Sequence, residues 1–173
     1  AMATHKVLER DHVGEFTVTA SGPMSGPYNL VTTGDASISP PPAGQPINSR
    51  VNAGATLFIP LLTTSFQRAY GNIYTNPAEI YQAPWAATVE SLFPTDASVA
   101  SLITPPNNKL PADPTFTQLF GAGGLITDTF RAGYGASNFR KALITNTLVG
   151  TDALANNAVI SWTPKAPVAM CGG

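Results

Sequence analysis

Apolar residues recur every three or four positions along much of this chain, which is the spacing that amphipathic helices produce. Residues 1–11 are predicted to form the first helix, with an apolar face made by Ala3, Val7 and Leu8. The period changes to two over residues 15–20, where alternating apolar and polar positions predict a buried strand. A second strand is predicted near the end of the chain, over residues 168–171.

Proline and glycine divide the middle of the chain into short predicted helices. The longest covers residues 50–70, ends at Gly71 and contains Pro60, which predicts a kink or a break. Shorter helices or helical turns are predicted at Pro77, 85–93, 96–103, 115–120, 125–131, 138–148 and 151–156. Residues 31–48 have no helical period and are predicted to be a long loop. The pattern therefore predicts a mainly α fold with a minor β component.

Composition and charge exclude several classes of function. The chain has 173 residues, a net charge of −1 and only 11% charged residues, with no basic cluster, so a nucleic-acid partner is not expected. No apolar run reaches the roughly 20 residues that span a bilayer. Two histidines and one cysteine, well separated, give little support to a metal site, and no cofactor is predicted. Cys171 is interpreted as a buried small hydrophobic residue rather than a reactive thiol.

Two Gly-Pro turns, at Gly22 and Gly26, follow the first predicted strand within the stretch ASGPMSGPYNL of residues 20–30. This stretch resembles the segment after the sixth strand of secreted or periplasmic bacterial α/β-hydrolases of the esterase/lipase type. In that family a helix similar to residues 1–10 follows the nucleophile elbow, and a run similar to residues 162–173 enters the seventh strand. The resemblance covers both ends of the chain, in the family's order.

The resemblance implies an internal piece of a serine carboxylic-ester hydrolase. Residues 1–45 would belong to the α/β core, residues 46–157 would form a helical lid or cap, and residues 158–173 would return to the core as a strand of its sheet. The family's catalytic Ser, Asp and His fall outside these ranges, so we expect the chain alone to be inactive. The implied partners are an ester or other small apolar substrate and the remainder of the hydrolase core. The parent protein is expected to be secreted or periplasmic.

Neither of the serines near the Gly-Pro turns is predicted to be a nucleophile. Ser21 and Ser25 lack the Gly-x-Ser-x-Gly setting, and Pro27 would prevent a helix from starting after Ser25. Their hydroxyls are expected to bond loop backbone. His5 and His12 do not inherit a catalytic role, because the resemblance places that histidine after the seventh strand.

Substrate contacts are expected instead from side chains near turns. Tyr28, at the end of the predicted strand, suits either a pocket wall or a packed loop anchor, and Asn29 suits either a substrate hydrogen bond or a turn. Four lid aromatics beside Pro or Gly are candidates for an apolar acyl or alcohol pocket: Tyr74, Tyr81, Trp85 and Tyr134.

A second hypothesis stays open, that the chain is a self-standing, non-catalytic helical binding or interaction module. A Gly-x-Ser-x-Gly-Gly encoded directly upstream would favour the hydrolase. A true start codon at Met2 would favour the module. Self-association through apolar helix faces is compatible with both hypotheses.

Overall fold

A computed structural model describes residues 1–24 and 26–170. Ser25 and Cys171, for which roles were predicted above, lie outside the described residues. The fold is mainly helical with a minor β component, which confirms the predicted fold class. The chain divides into two units, the first made by Ala1–Thr33 with the chain from Leu143 onward and the second by Gly34–Ala142. The functional division at residues 45/46 and 157/158 stays a prediction.

The described residues form seven α-helices, four 3₁₀ turns and one pair of short strands. The helices are α1 Met2–Asp11, α2 Leu30–Ile38, α3 Ala55–Tyr70, α4 Val89–Leu92, α5 Val99–Ile103, α6 Asp128–Gly133 and α7 Asn138–Asn146. The 3₁₀ turns are Pro77–Glu79, Trp85–Ala87, Tyr134–Ala136 and Ala153–Ala155. The strands, β1 Thr151–Asp152 and β2 Ala158–Val159, pair antiparallel with Thr151 opposite Val159.

The two strands predicted at residues 15–20 and 168–171 do not form a regular ladder in the described residues. Ser21 and Val168 meet there in a single parallel bridge, and Phe16 is 54% exposed. Alternation along one segment favours an extended backbone, but a strand also needs a neighbour that pairs with it along its length. The strand predicted at residues 15–20 is therefore absent, whereas the one predicted at 168–171 is represented among the described residues by the bridge at Val168.

The predicted loop at residues 31–48 contains α2. Asn29 starts this helix, because its side-chain Oδ1 accepts the backbone N–H of Thr32 at 3.3 Å. Val31 and Ile38 are fully buried, whereas Gly34 and the threonines lower the intrinsic helix propensity of the segment. Tertiary burial outweighs that propensity, which sequence reasoning did not foresee.

In the second unit α3 ends where predicted, but it starts at Ala55 and not at residue 50, and it is not interrupted. It ends at Gly71, whose φ of 71° closes the helix, and it runs through Pro60 without a break. Ile59, Pro60 and Thr63 are buried on one face, so packing offsets the roughly 3 kcal/mol that an internal proline costs.

The predicted helix at 115–120 is absent from the described structure. Asp113 instead accepts the backbone N–H groups of Thr115, Thr117 and Gln118, which organises the segment as a turn. Phe116 takes a φ of 55°, which no right-handed helix allows.

Candidate functional site

A chain of hydrogen bonds in the first unit joins a serine, a histidine and a glutamate. His5 and Glu9 lie one turn apart on α1, and His5 Nε2 is 2.9 Å from Glu9 Oε1. On the other side of the ring, His5 Nδ1 is 2.8 Å from Ser21 Oγ. His5 is only 2% exposed, and the Trp162 ring packs edge-on against it with 4.8 Å between centroids. The imidazole is therefore held in one orientation.

The surroundings of Glu9 decide which ring nitrogen of His5 donates a hydrogen bond to it. Its Oε2 accepts the backbone N–H of Lys165 at 2.9 Å, and its Oε1 accepts that of Ala166 at 2.7 Å. Burial acts to raise the pKa of the Glu9 carboxyl, but these two N–H groups and His5 outweigh it and hold the pKa below its ordinary value. An ionised carboxylate only accepts, so His5 Nε2 donates its N–H to Glu9, and Nδ1 is left to pair with the Ser21 hydroxyl.

This arrangement has the order of a hydroxyl, an imidazole and a carboxylate that nucleophilic hydrolases use. It differs from the usual triad because Nδ1, and not Nε2, faces the serine. The Ser21 backbone is also bonded on both sides, with its N–H donating to Pro167 O at 3.1 Å and its carbonyl accepting Ala169 N–H at 3.0 Å. The hydroxyl bonds the His5 ring and not loop backbone, so that expectation for Ser21 was wrong.

Sequence reasoning missed this network, although one signal was available. His5 and Glu9 have the i, i+4 spacing that places two side chains on one helix face. That spacing predicts their contact but does not predict burial, because the burial comes from segments far along the chain.

The predicted pair Tyr28 and Asn29 lies at the start of α2. The Tyr28 carbonyl accepts the N–H groups of Leu148 at 2.8 Å and Val149 at 3.2 Å. The Tyr28 ring lies so close to Gly26 that a Cβ there would come within 2.5 Å of it. Both residues are half-buried, and the Asn29 side chain caps α2. These contacts anchor the loop, and substrate binding by either residue stays a prediction.

The four predicted lid aromatics all lie buried in the second unit, with exposures of 1–7%. The polar group of each side chain is hydrogen-bonded within the unit. Tyr81 Oη pairs with Thr63 Oγ1, and Tyr74 Oη donates to Glu90 at 3.0 Å. Trp85 Nε1 donates to Gly124 O at 3.1 Å, and Tyr134 Oη donates to Asp35 at 2.9 Å. Burial raises the pKa of Tyr74 and of Tyr81, and the Glu90 carboxylate adds to the effect at Tyr74. Both phenols are therefore neutral at physiological pH.

Tyr74 also borders an open cavity of about 570 Å³ in the second unit. Polar side chains dominate its lining, among them Gln67, Glu79 and Asn138. An apolar groove of about 420 Å³ occurs in the first unit, where Val7, Leu8 and Phe16 line it. The apolar face predicted for the first helix thus exists, but it is open in this structure.

Neither a metal-binding cluster nor a membrane-spanning helix occurs in the described part of the chain. No three His, Cys, Asp or Glu side chains come close enough there to hold a metal ion. None of its helices has the length and hydrophobicity that crossing a bilayer requires.

The structure of this chain is similar to part of an esterase of known structure. No protein-family model and no curated protein sequence matches the chain. Solved structures of the rice cell wall degrading esterase LipA from Xanthomonas oryzae do match, with a TM-score of 0.72 and 30% identity over 100% of this chain. A ligand-bound form of that esterase matches with a TM-score of 0.70, again at 30% identity over the full chain. In both cases the chain spans 39% of the length of the esterase. The chain is thus similar to a portion of an esterase, which confirms the predicted resemblance to that extent.

Proposed function

We propose that this chain is the lid- or cap-bearing portion of a serine carboxylic-ester hydrolase whose catalytic Ser, Asp and His lie outside it. The observation that carries the proposal is the match to an esterase along the entire chain, at 30% identity and a TM-score of 0.72. In the parent, the helical segment at residues 46–157 covers an apolar substrate pocket and excludes water from it. The parent works in a secreted or periplasmic setting.

The open apolar face of the first unit supports this proposal. Val7 is 39% exposed and Phe16 is 54% exposed, and both line the groove beside α1. Apolar surface of this kind is stabilised when another element covers it. In the proposal that element belongs to the remainder of the hydrolase core.

The six proposed substrate-binding residues differ in how directly they reach open space. Tyr28 is half-buried, and Tyr74 borders the cavity of the second unit. Tyr81, Trp85 and Tyr134 act in the proposal by fixing the shape of the lid, because their polar tips are bonded inside the unit. Tyr28 and Tyr74 are therefore the first positions to substitute in the parent enzyme.

A second candidate function has one observation in its favour, the hydrogen-bonded chain from Ser21 through His5 to Glu9. If Ser21 were the nucleophile, its oxygen would attack an ester carbonyl while its proton passed to Nδ1 of His5. A nucleophile also needs donors that stabilise the oxyanion. The Ser21 N–H is already committed to Pro167 O, which makes this candidate the weaker one.

A fluorophosphonate probe separates the two candidates, because an activated serine bonds to its phosphorus and releases fluoride. The purified 173-residue chain and the full-length parent are each incubated with the probe and analysed by peptide mass spectrometry. We expect no label and no p-nitrophenyl butyrate turnover from the chain, and a labelled serine outside it in the parent. Label on Ser21 that disappears in Ser21→Ala would overturn the main proposal. A parent without label or turnover would favour the helical binding module.

A further inference from the structure

We infer that His5 is a positioning residue for the proposed ester hydrolysis. It acts by holding the segment that contains α1 and Ser21 in a fixed alignment with residues 165–167 near the other end of the chain. The inference rests on the proposed function, in which the catalytic groups lie outside the chain. His5 itself is not expected to touch the substrate, because it is 2% exposed and both of its ring nitrogens are bonded.

The hydrogen bonds around His5 form a closed ring. His5 Nε2 donates to Glu9, and the Glu9 carboxylate accepts the N–H groups of Lys165 and Ala166. The next residue, Pro167, accepts the N–H of Ser21, and the Ser21 hydroxyl returns to His5 Nδ1. In a closed ring each bond limits the movement of all the others, so loss of one member loosens the whole set.

The ring joins segments that lie at opposite ends of the chain. Glu9 lies on α1, which begins at Met2. It bonds Lys165, which lies 156 positions further along the chain. Ser21 and Val168 also meet in a parallel bridge. The side chains of α1 therefore add to the backbone contacts that align these two segments.

Register matters for the proposed reaction because the catalytic groups would connect to this chain through these two ends. A displacement of about 1 Å between reacting groups can reduce the rate about 100-fold, while substrate binding elsewhere is little affected. Loss of the ring should therefore lower kcat and leave KM nearly unchanged.

The substitutions are His5→Phe and His5→Gln in the full-length parent. Phenylalanine keeps a ring against Trp162 but makes neither hydrogen bond, whereas glutamine keeps one donor and one acceptor on the same side chain. Arg10 supplies a control on the same helix, because its side chain is 61% exposed and pairs with the exposed Asp11. The control substitution is Arg10→Gln.

Initial rates with p-nitrophenyl butyrate are measured well below the unfolding temperature of each variant. We expect His5→Phe to lower kcat by at least about tenfold with KM changed by less than about twofold. His5→Gln should recover part of kcat, and Arg10→Gln should leave both constants unchanged. An unchanged kcat in His5→Phe, or a loss no larger than the fraction of unfolded protein, would contradict the inference.

Amide hydrogen exchange in the same variants separates this inference from the proposed function. Exchange at Ser21, Lys165 and Ala166 should be at least about tenfold faster in His5→Phe than in Arg10→Gln. If the unmodified parent does not hydrolyse esters, the proposed function fails and the positioning role fails with it. If the parent is active and exchange accelerates but kcat does not change, only the positioning role is refuted.

Discussion

Asp35 and Arg140 are 105 positions apart, yet two hydrogen bonds join their side chains into an ion pair. Arg140 Nε lies 2.9 Å from Asp35 Oδ1, and Arg140 Nη2 lies 2.8 Å from Asp35 Oδ2. The Tyr134 hydroxyl donates to the same Oδ1 at 2.9 Å. The side chains of Arg140 and Asp35 are only 6% and 12% exposed, so water competes little for these hydrogen bonds.

Breaking this pair from one side should destabilise the second unit strongly. Arg140→Leu leaves the Asp35 carboxylate buried without its charged partner, which costs about 3–5 kcal/mol of unfolding free energy. The double variant Asp35→Leu, Arg140→Leu should be less destabilised than Arg140→Leu alone, because the Asp35 carboxylate is no longer buried without its charged partner. Urea unfolding followed by circular dichroism measures each difference. Arg10→Leu is the control, since the Arg10–Asp11 pair is exposed and should contribute nothing measurable.

Gly124 and Gly133 form a second matched pair of positions. A Cβ at Gly124 would lie 2.7 Å from the Phe120 carbonyl carbon, and backbone atoms cannot move aside as a flexible side chain can. Gly124→Ala should therefore destabilise the chain by about 1–3 kcal/mol. Nothing lies within 4 Å of a Cβ at Gly133, the last residue of α6. Gly133→Ala should stabilise by about 0.5–1 kcal/mol, and equal effects of the two substitutions in thermal unfolding would contradict the close contact at Gly124.

The buried phenols of Tyr74 and Tyr81 predict a fall in stability at alkaline pH. Both pKa values are raised above the ordinary value of 10.0, mainly by burial, so the folded chain keeps these protons longer than the unfolded chain does. The resulting contribution is complete below the unfolded-state pKa and is lost as pH rises above it. Urea unfolding at about pH 9 and about pH 11 should show this loss, and it should be smaller in the double variant Tyr74→Phe, Tyr81→Phe. Tyr70→Phe, at a 46% exposed position, is the control for removal of a tyrosine hydroxyl from the surface.

Much of the helical framework could be predicted because it depends on residues close together in the chain. The start and end of α1 and the end of α3 at Gly71 follow from side-chain spacing and from a glycine with positive φ. The turn at Pro77–Glu79 also follows its local signal, since Asn76 and Glu79 form a capping box.

The candidate site was much less accessible to sequence reasoning. Its substrate-binding residues stay predictions, and its hydrogen-bonded ring was not foreseen, because Ser21 and Ala166 reach α1 from distant parts of the chain. Likewise α2 was predicted as a loop, since burial of Val31 and Ile38 is invisible in the local pattern.

The sequence by itself determined a mainly helical chain, with the end of α3 at Gly71 and the turn at Pro77 in their predicted places, because helix bonds and turns join residues within one or two turns. Only the tertiary structure decided which faces are buried, that Ser21 and Val168 meet in a parallel bridge, and that His5 joins both ends of the chain. The physical reason is that burial and cross-chain hydrogen bonds depend on which distant groups come together, and neither periodicity nor propensity records that choice.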